Sequence, residues 1–220
     1  RVWDGTDKGF QPRGKQVSRP EGIWYTPVTG IWQTVWLEPV AAKHIENIQS
    51  VPNIDNGQLA VSVKTVGAAY GDLVEVKLFD GQNEIASAKA VSGEKFELAV
   101  PDAKLWSPES PFLYTMKVSL LSNGMVTDQV NSYFAMRKIS TKRDKNGIVR
   151  LELNNKAYFQ FGPLDQGWWP DGLYTAPTDE ALKYDLIKTK DFGFNMIRKH
   201  VKVEPARWYM HCDRLGMLVW

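Results

Sequence analysis

The chain has 220 residues, 43% of them hydrophobic and 24% charged, the balance of a folded protein and not of a collagen-like, low-complexity or disulfide-scaffold chain. Lys and Arg number 27 against 25 acidic residues, and a net charge of +2 gives no argument for nucleic acid or anionic lipid as a partner. No run approaches the roughly 18 apolar residues of a membrane span, and the single cysteine, Cys212, forbids an intramolecular disulfide.

No basic run followed by an apolar segment opens the sequence, so no signal peptide is read. The compartment stays undetermined, with a periplasmic or secreted location as a guess only. Aromatic content is the distinctive figure: 12%, including nine Trp. A surplus of Trp beside polar loops is how proteins present flat apolar faces to ligands.

Residues 1–40 carry turn residues and two β-like runs, Gly22-Ile23-Trp24-Tyr25 and Gly30 to Pro39. In the second, Ile31, Gln33, Val35 and Leu37 share one face while Trp32, Thr34 and Trp36 share the other. A strand apolar on both faces is expected to lie between two layers, and a segment this short cannot supply both. The stretch is therefore expected to be the closing part of a β-sandwich whose other strands belong to a longer protein.

Residues 41–140 read as an all-β sandwich, with strands at short intervals and turn signals between them. Leu59, Val61, Val63 and Thr65 alternate with small or polar residues, as do Val74, Val76 and Leu78 before Asp80-Gly81. Phe96, Leu98 and Val100 follow Ser92-Gly93; Tyr114, Met116, Val118 and Leu120 run into Asn123-Gly124, and Val126 to Phe134 returns. About seven strands in about 100 residues fit an immunoglobulin-like fold without its cysteine pair.

From residue 141 the period changes. A hairpin over Ile148–Leu153 and Lys156–Phe161 turns at Asn154-Asn155, and strands then alternate with helices. Thr178 is a candidate N-cap with Asp179 and Glu180 behind it, Leu182, Leu186 and Ile187 form a stripe, and Gly193 is a stop signal. Phe194–Val201 reads as a strand, Pro205 opens a second helix carrying Trp208, Cys212 and Leu215, and Gly216 precedes a strand over 217–220. This order implies a parallel sheet, expected to continue in a longer chain because such a sheet is covered on both faces.

Sites in parallel α/β folds lie at the carboxyl ends of the strands. The loop from Pro163 to Tyr174, after a strand ending at Gly162, is longer than a strand-to-helix connection requires. Asp165, Trp168, Trp169, Asp171 and Tyr174 make it a candidate sugar-contacting wall, in which aromatic faces stack on C–H groups and carboxylates bind hydroxyls. The same aromatics could equally seal the edge of the sheet. Arg198 and His200 share a strand face with Met196 and point toward the same exit, unless Arg198 is paired with a neighbouring carboxylate for structure. Alternation splits the basic run 198–202 between two faces, against nucleic-acid binding. His44, His200 and His211 lack metal-ligand spacing, no phosphate-binding glycine motif follows a strand, and Cys212 sits on an apolar helix stripe, so no metal, cofactor or thiol nucleophile is expected.

The segment Thr29 to Pro39 (TGIWQTVWLEP) resembles the last strand of the sugar-binding jelly-roll domain of glycoside hydrolase family 2, the β-galactosidase, β-glucuronidase and β-mannosidase family. Gln11-Pro12-Arg13-Gly14-Lys15-Gln16 is also similar to that family. Leu105 to Tyr114 (LWSPESPFLY) resembles its immunoglobulin-like second domain, Phe134 to Ile139 (FAMRKI) the exit into its catalytic barrel, and Gly193 to Arg198 (GFNMIR) its second barrel strand. The resemblance covers essentially the whole chain, in the family's domain order.

It implies a multidomain β plus α/β chain: residues 1–40 as the end of a jelly roll, 41–140 as an immunoglobulin-like β-sandwich, and 141–220 as the first βα units of a TIM barrel. It also implies that Arg198 matches the family's substrate-site arginine. A His three residues after that Arg is usual in many β-galactosidases, whereas His200 follows by two. Asp165, Trp168, Trp169 and Asp171 fall in the first barrel loop, which lines the sugar pocket. The family's two glutamates come from later strands, the first within an Asn-Glu pair; none occurs here after residue 141. The expected activity of the parent chain is retaining hydrolysis of a terminal β-linked sugar, a β-galactoside first, through a glycosyl-enzyme intermediate. The expected partner is an oligosaccharide or glycoside, with homo-oligomerisation left open. The rival readings are a non-catalytic β-sandwich module that binds carbohydrate or protein, and a spacer that orients its neighbours.

Overall fold

A computed structural model of the protein describes residues 15–220. Residues 11–14 of the upstream motif lie outside the described residues. The chain forms two compact units, Glu38–Phe159 and the segment up to Leu37 together with Gln160–Trp220.

The first unit contains β1 (His44–Asn53), β2 (Gln58–Val66), β3 (Leu73–Asp80), β4 (Asn83–Val91), β5 (Lys95–Ala99), β6 (Tyr114–Ser122) and β7 (Met125–Phe134). They form two antiparallel sheets, ordered β1-β2-β5 and β4-β3-β6-β7. Period-two alternation turns Leu59, Val61 and Val63 of one sheet, and Val74, Val76, Leu78, Met116, Val118 and Leu120 of the other, into one shared core. The β6–β7 turn is set by Asn123 and Gly124, both at positive φ (51° and 77°), the backbone a tight hairpin requires. β1 and β4 are absent from the sequence reading for a physical reason. β1 carries a register irregularity between Ile45 and Asn47, and β4 is built largely of Ala and Ser, so neither shows a clean apolar alternation.

Trp106, fully buried, closes this unit: its amide donates to the Met136 carbonyl at 2.9 Å, and the Arg137 guanidinium lies 4.6 Å from its ring centroid. A third antiparallel sheet, β8 (Ile139–Arg143), β9 (Val149–Leu153) and β10 (Lys156–Ala157), follows in the order β10-β9-β8. Its turn places Asn154 and Asn155 at φ of 54° and 63°. Asn154 then bonds both ways, accepting from the Lys138 amide at 3.0 Å and donating to the Trp106 carbonyl at 2.9 Å. Asp55 receives Lys138 and Asn155 as well, so β8 to β10 lie in the same compact unit as the sandwich, which runs to Phe159.

The second unit holds β11 (Leu164–Asp165), α1 (Asp179–Asp191), β12 (Met196–Lys199), α2 (Ala206–Leu215) and β13 (Leu218–Val219). The three strands are parallel in the order β11-β12-β13. Thr178 caps α1, its hydroxyl accepting from the Ala181 amide at 3.1 Å, and Gly216 ends α2 in the left-handed region at φ 77°. Leu182, Leu186, Ile197, Trp208, Cys212 and Met217 form the helix-side core; Ile187, expected on the stripe, is exposed. His211, buried on α2, ties the helices together through Asp179 at 2.9 Å. The first parallel strand lies not before Gly162 but at Leu164–Asp165. Gly162 is where the chain passes against β12, and a Cβ there would stand 1.6 Å from the Met196 carbonyl oxygen.

The expected buried strand over residues 30–39 is not formed. Only Gln16 and Tyr25 make a β-bridge in the 15–37 stretch, Trp36 is 70% exposed and Leu37 99% exposed. A strand exists only by pairing, and among the described residues no strand forms a ladder with this run.

Candidate functional site

Alternation along β12 divides its side chains between two tasks. Ile197 enters the helix-packed core, so Arg198 emerges on the opposite face, exposed and with no side-chain partner among the described residues. His200 follows at the strand's carboxyl end, half-buried, its amide donating to the Asp165 carbonyl at 2.9 Å. Among the described residues the alternative arrangement, a structural pairing of Arg198 with a neighbouring carboxylate, is not made.

Lys199 turns the other way, into a cluster of four charged groups. Its ammonium lies 2.6 Å from Asp165 Oδ2 and 2.6 Å from Glu204 Oε1, and 4.9 Å from the Trp208 ring centroid. Lys202 reaches the same Glu204 oxygen at 3.1 Å and donates to the Gly167 carbonyl at 2.7 Å. The side chains of Lys199, Lys202 and Glu204 are 4%, 1% and 3% exposed, so two positive and two negative groups neutralise one another away from water. Burial pushes the Lys202 ammonium below the usual lysine range, and the Glu204 carboxylate opposes that shift. Gly167 closes the cluster: at φ +62° it tolerates the left-handed backbone, and a Cβ would stand 2.4 Å from Glu204 Oε1 and 2.8 Å from Lys199 Nζ.

This arrangement assigns the first-loop residues different positions. Asp165 sits in β11, and both its oxygens are engaged inside the protein, Oδ2 by Lys199 and Oδ1 by the Gly167 amide at 2.7 Å. Trp168 stacks on Tyr25, centroids 4.6 Å apart at 9°, and meets the edge of Tyr174 at 5.9 Å, so one of its faces is covered. Trp169 pairs its backbone with Leu173 in a small hairpin, while its indole N–H and the Gln166 side-chain oxygen are buried without a hydrogen-bond partner. Asp171 is exposed at the tip of that hairpin.

Tyr174 is the hub of the aromatic group. It meets Trp32 edge-on at 4.6 Å, carries the Lys202 ammonium 4.8 Å from its centroid, and donates its hydroxyl to the Val201 carbonyl at 3.1 Å. Burial, followed by the Glu204 charge, pushes its pKa up, so it serves as a donor. Beside it a cavity of about 140 Å³ is lined by Trp32, Thr34, Thr178, Asp179 and Arg207.

Sequence reasoning missed Lys199, Lys202 and Glu204. Alternation did separate Lys199 from Arg198, but burial of a lysine depends on counter-charges distant in sequence, and no local pattern announces them. Among the described residues no group of three or more His, Cys, Asp or Glu is placed to hold a metal ion, and no helix is long and apolar enough to cross a membrane. Cys212 is buried, which pushes its thiol pKa up and away from reactivity.

Residues 43–137 match the family model of glycosyl hydrolases family 2. Over 214 residues the chain is 29% identical to a putative beta-glucuronidase of Formosa agariphila, covering 91% of this chain and 20% of that protein. It is 26% identical over 199 residues to a beta-galactosidase of Lactococcus lactis, covering 87% and 19%. The crystal structure of an FMN-binding beta-glucuronidase from Facaelibacterium prausnitzii L2-6 superposes with a TM-score of 0.71 at 25% identity, over 82% of this chain and 29% of that one. A beta-glycosidase from Bacteroides vulgatus shares the fold, with a TM-score of 0.73 at 24% identity over 90% of this chain and 26% of that one. The chain spans about a fifth of the length of these curated relatives. Through its matched sandwich and through relatives that align along nearly all of its length, the chain is similar to members of glycosyl hydrolases family 2.

Proposed function

We propose that this chain is part of a retaining exo-β-glycosidase that removes a terminal β-linked sugar, a β-galactoside in the first instance, through a glycosyl-enzyme intermediate. In this reading β11, α1, β12, α2 and β13 open a (β/α)8 barrel, and the β-sandwich orients it. The observation that carries the proposal is Arg198, an exposed guanidinium without a side-chain partner among the described residues, at the carboxyl end of a parallel strand and on the face away from the helices. There it would bind sugar hydroxyls or a carboxylate through paired N–H donors, with His200 beside it. Asp171 and Trp169 would line the first loop, while Asp165 and Trp168 would hold that loop in place.

Retaining hydrolysis needs two carboxyl groups roughly 5–5.5 Å apart, one as acid/base and one as nucleophile. Asp165 is bound to Lys199 and so is unsuited to either role. We therefore place the reacting pair outside these 220 residues. The β-glucuronidase and β-galactosidase names of the relatives support the class of reaction and leave the sugar as the finer choice.

The test is hydrolysis of p-nitrophenyl β-galactoside and β-glucuronide by the natural full-length protein, by its Arg198→Ala variant and by the 220-residue chain. The full-length protein should turn over one of them. Loss of a charge-assisted substrate hydrogen bond should lower kcat/KM about tenfold to a hundredfold in the variant, with an unchanged thermal midpoint. Turnover by the 220-residue chain alone, or full activity of the Arg198→Ala variant, would refute the reading.

A further inference from the structure

Directly after Arg198 and His200 the backbone does something that the charge cluster explains. Val201 has a φ of +56°. For an L-residue that conformation drives Cβ against the following carbonyl oxygen, and a β-branched side chain is the least tolerant of it. Of the other non-glycine residues described at positive φ, four are Asn or Asp and one is Leu173; Val201 alone is β-branched. Such strain persists only where the surroundings over-determine it.

The surroundings do so from three sides. On the near flank, the His200 amide is held by the Asp165 carbonyl at 2.9 Å, and the Lys199 ammonium by Asp165 and Glu204, each at 2.6 Å. At the residue itself, the carbonyl accepts from the Tyr174 hydroxyl at 3.1 Å. On the far flank, Lys202 is held by the Gly167 carbonyl at 2.7 Å and by Glu204 at 3.1 Å. Both flanking lysines converge on one atom, Glu204 Oε1, so a single buried carboxylate oxygen staples the two ends of the turn.

We infer that Val201 is a strained elbow, held shut by the Lys199–Glu204–Lys202 staple, that positions His200 and Arg198 on the open face of the sheet. Val201 is a positioning residue and touches no substrate. The catalytic consequence rests on the glycosidase reading above; the elbow itself does not.

Two variants separate strain from position. Val201→Gly removes the steric clash and also frees the backbone, whereas Val201→Asn removes the β-branch while favouring the left-handed conformation. Both should raise the thermal midpoint of the 220-residue chain by about 2–4 °C, the shift expected of a modest stabilisation in a chain of this size. By amide hydrogen exchange, His200 should exchange at least about tenfold faster in Val201→Gly and at the native rate in Val201→Asn. A residue that merely fills space would lower the midpoint in both. A lowered midpoint in both variants, or unchanged His200 exchange in Val201→Gly, overturns the elbow. In the natural full-length protein, Val201→Gly should lower kcat at least about tenfold, and Val201→Asn should restore it. Full kcat in Val201→Gly, with faster His200 exchange, overturns the positioning role. Absence of glycoside turnover by the unmutated protein refutes the functional reading instead, and leaves the midpoint and exchange results to decide the elbow.

Discussion

Replacing Glu204 with Gln keeps the shape of the side chain and removes one charge from the buried cluster. Asp165 would then be the one anion set against Lys199 and Lys202, each less than a twentieth exposed, so one positive charge is left uncompensated. Removing one partner of a buried ion pair costs about 3–5 kcal/mol. At about 2–4 °C per kcal/mol for a chain of this size, the midpoint of the chain should fall by about 6–20 °C at pH 7. The loss carries a pH signature. Burial already lowers the Lys202 pKa and Glu204 resists that, so the substitution lowers it further below its unfolded value. A lysine whose folded pKa is depressed binds fewer protons folded than unfolded in the window between the two values, and stability there rises with pH. The deficit of Glu204→Gln should therefore narrow between pH 7 and pH 9.5. Adding Lys199→Met returns the cluster to one cation and one anion and should recover part of the loss. Thermal melts followed by near-ultraviolet circular dichroism read all of this. A midpoint within about 2 °C of the unmutated chain at pH 7, or a deficit that grows with pH, would show that the cluster does not hold these loops.

Two further outcomes bear on the scaffold. Asp72 is held at a pKa of about 2, first by the Ala69 amide and then by Lys43 and Ser122, so it favours the folded sandwich above pH 4, and that support is lost as pH falls toward 2. Asp72→Asn should lower the urea midpoint at pH 6 and flatten the acid limb between pH 4 and 2; an unaltered acid limb would place the acid sensitivity elsewhere. Gly162→Ala would set a Cβ 1.6 Å from the Met196 carbonyl, and only separation of the chain from β12 relieves that contact. The cost should reach or exceed the roughly 1–3 kcal/mol of ordinary overpacking, read from the denaturant midpoint, and an unchanged midpoint would contradict the close approach.

The sequence was legible where one local rule decided the outcome. Alternating Leu59-Val61-Val63 and Val74-Val76-Leu78 announced strands because one face of each is buried, and Asn123-Gly124 announced the hairpin because few other pairs adopt its backbone. Thr178 and Gly216 marked helix ends for equally local reasons. The reading failed where neighbours decide. Ile31 to Leu37 has the pattern of a buried strand, but pattern creates no neighbouring strand, and among the described residues no strand pairs with this run. Leu164–Asp165 was read as loop because two residues of parallel strand carry no period; pairing with Arg198 and Lys199 defines them. The candidate site divided in the same way. The exposed strand-exit position of Arg198 was legible because strand alternation and exit position are local properties. The burial of Lys199 was invisible, because it requires Asp165 thirty-four residues earlier and Glu204 beyond a turn that no propensity predicts.

That division also explains how a short strand serves two purposes. With a period of two, a strand entering a parallel sheet must send alternate side chains into the helix layer, where Ile197 goes, and onto the other face, where Arg198 goes. Beyond the last apolar position the helix layer still has to end, and an exposed carboxyl-terminal rim would leave the loops free. Lys199 ends it with a charge whose partners are the first loop, through Asp165, and the second, through Glu204. The face that bears Arg198 therefore needs no anchoring groups of its own. Among the described residues its guanidinium has no side-chain partner while the residue next to it supplies the rigidity, and pairing Arg198 instead would secure the loops only by consuming that exposed donor.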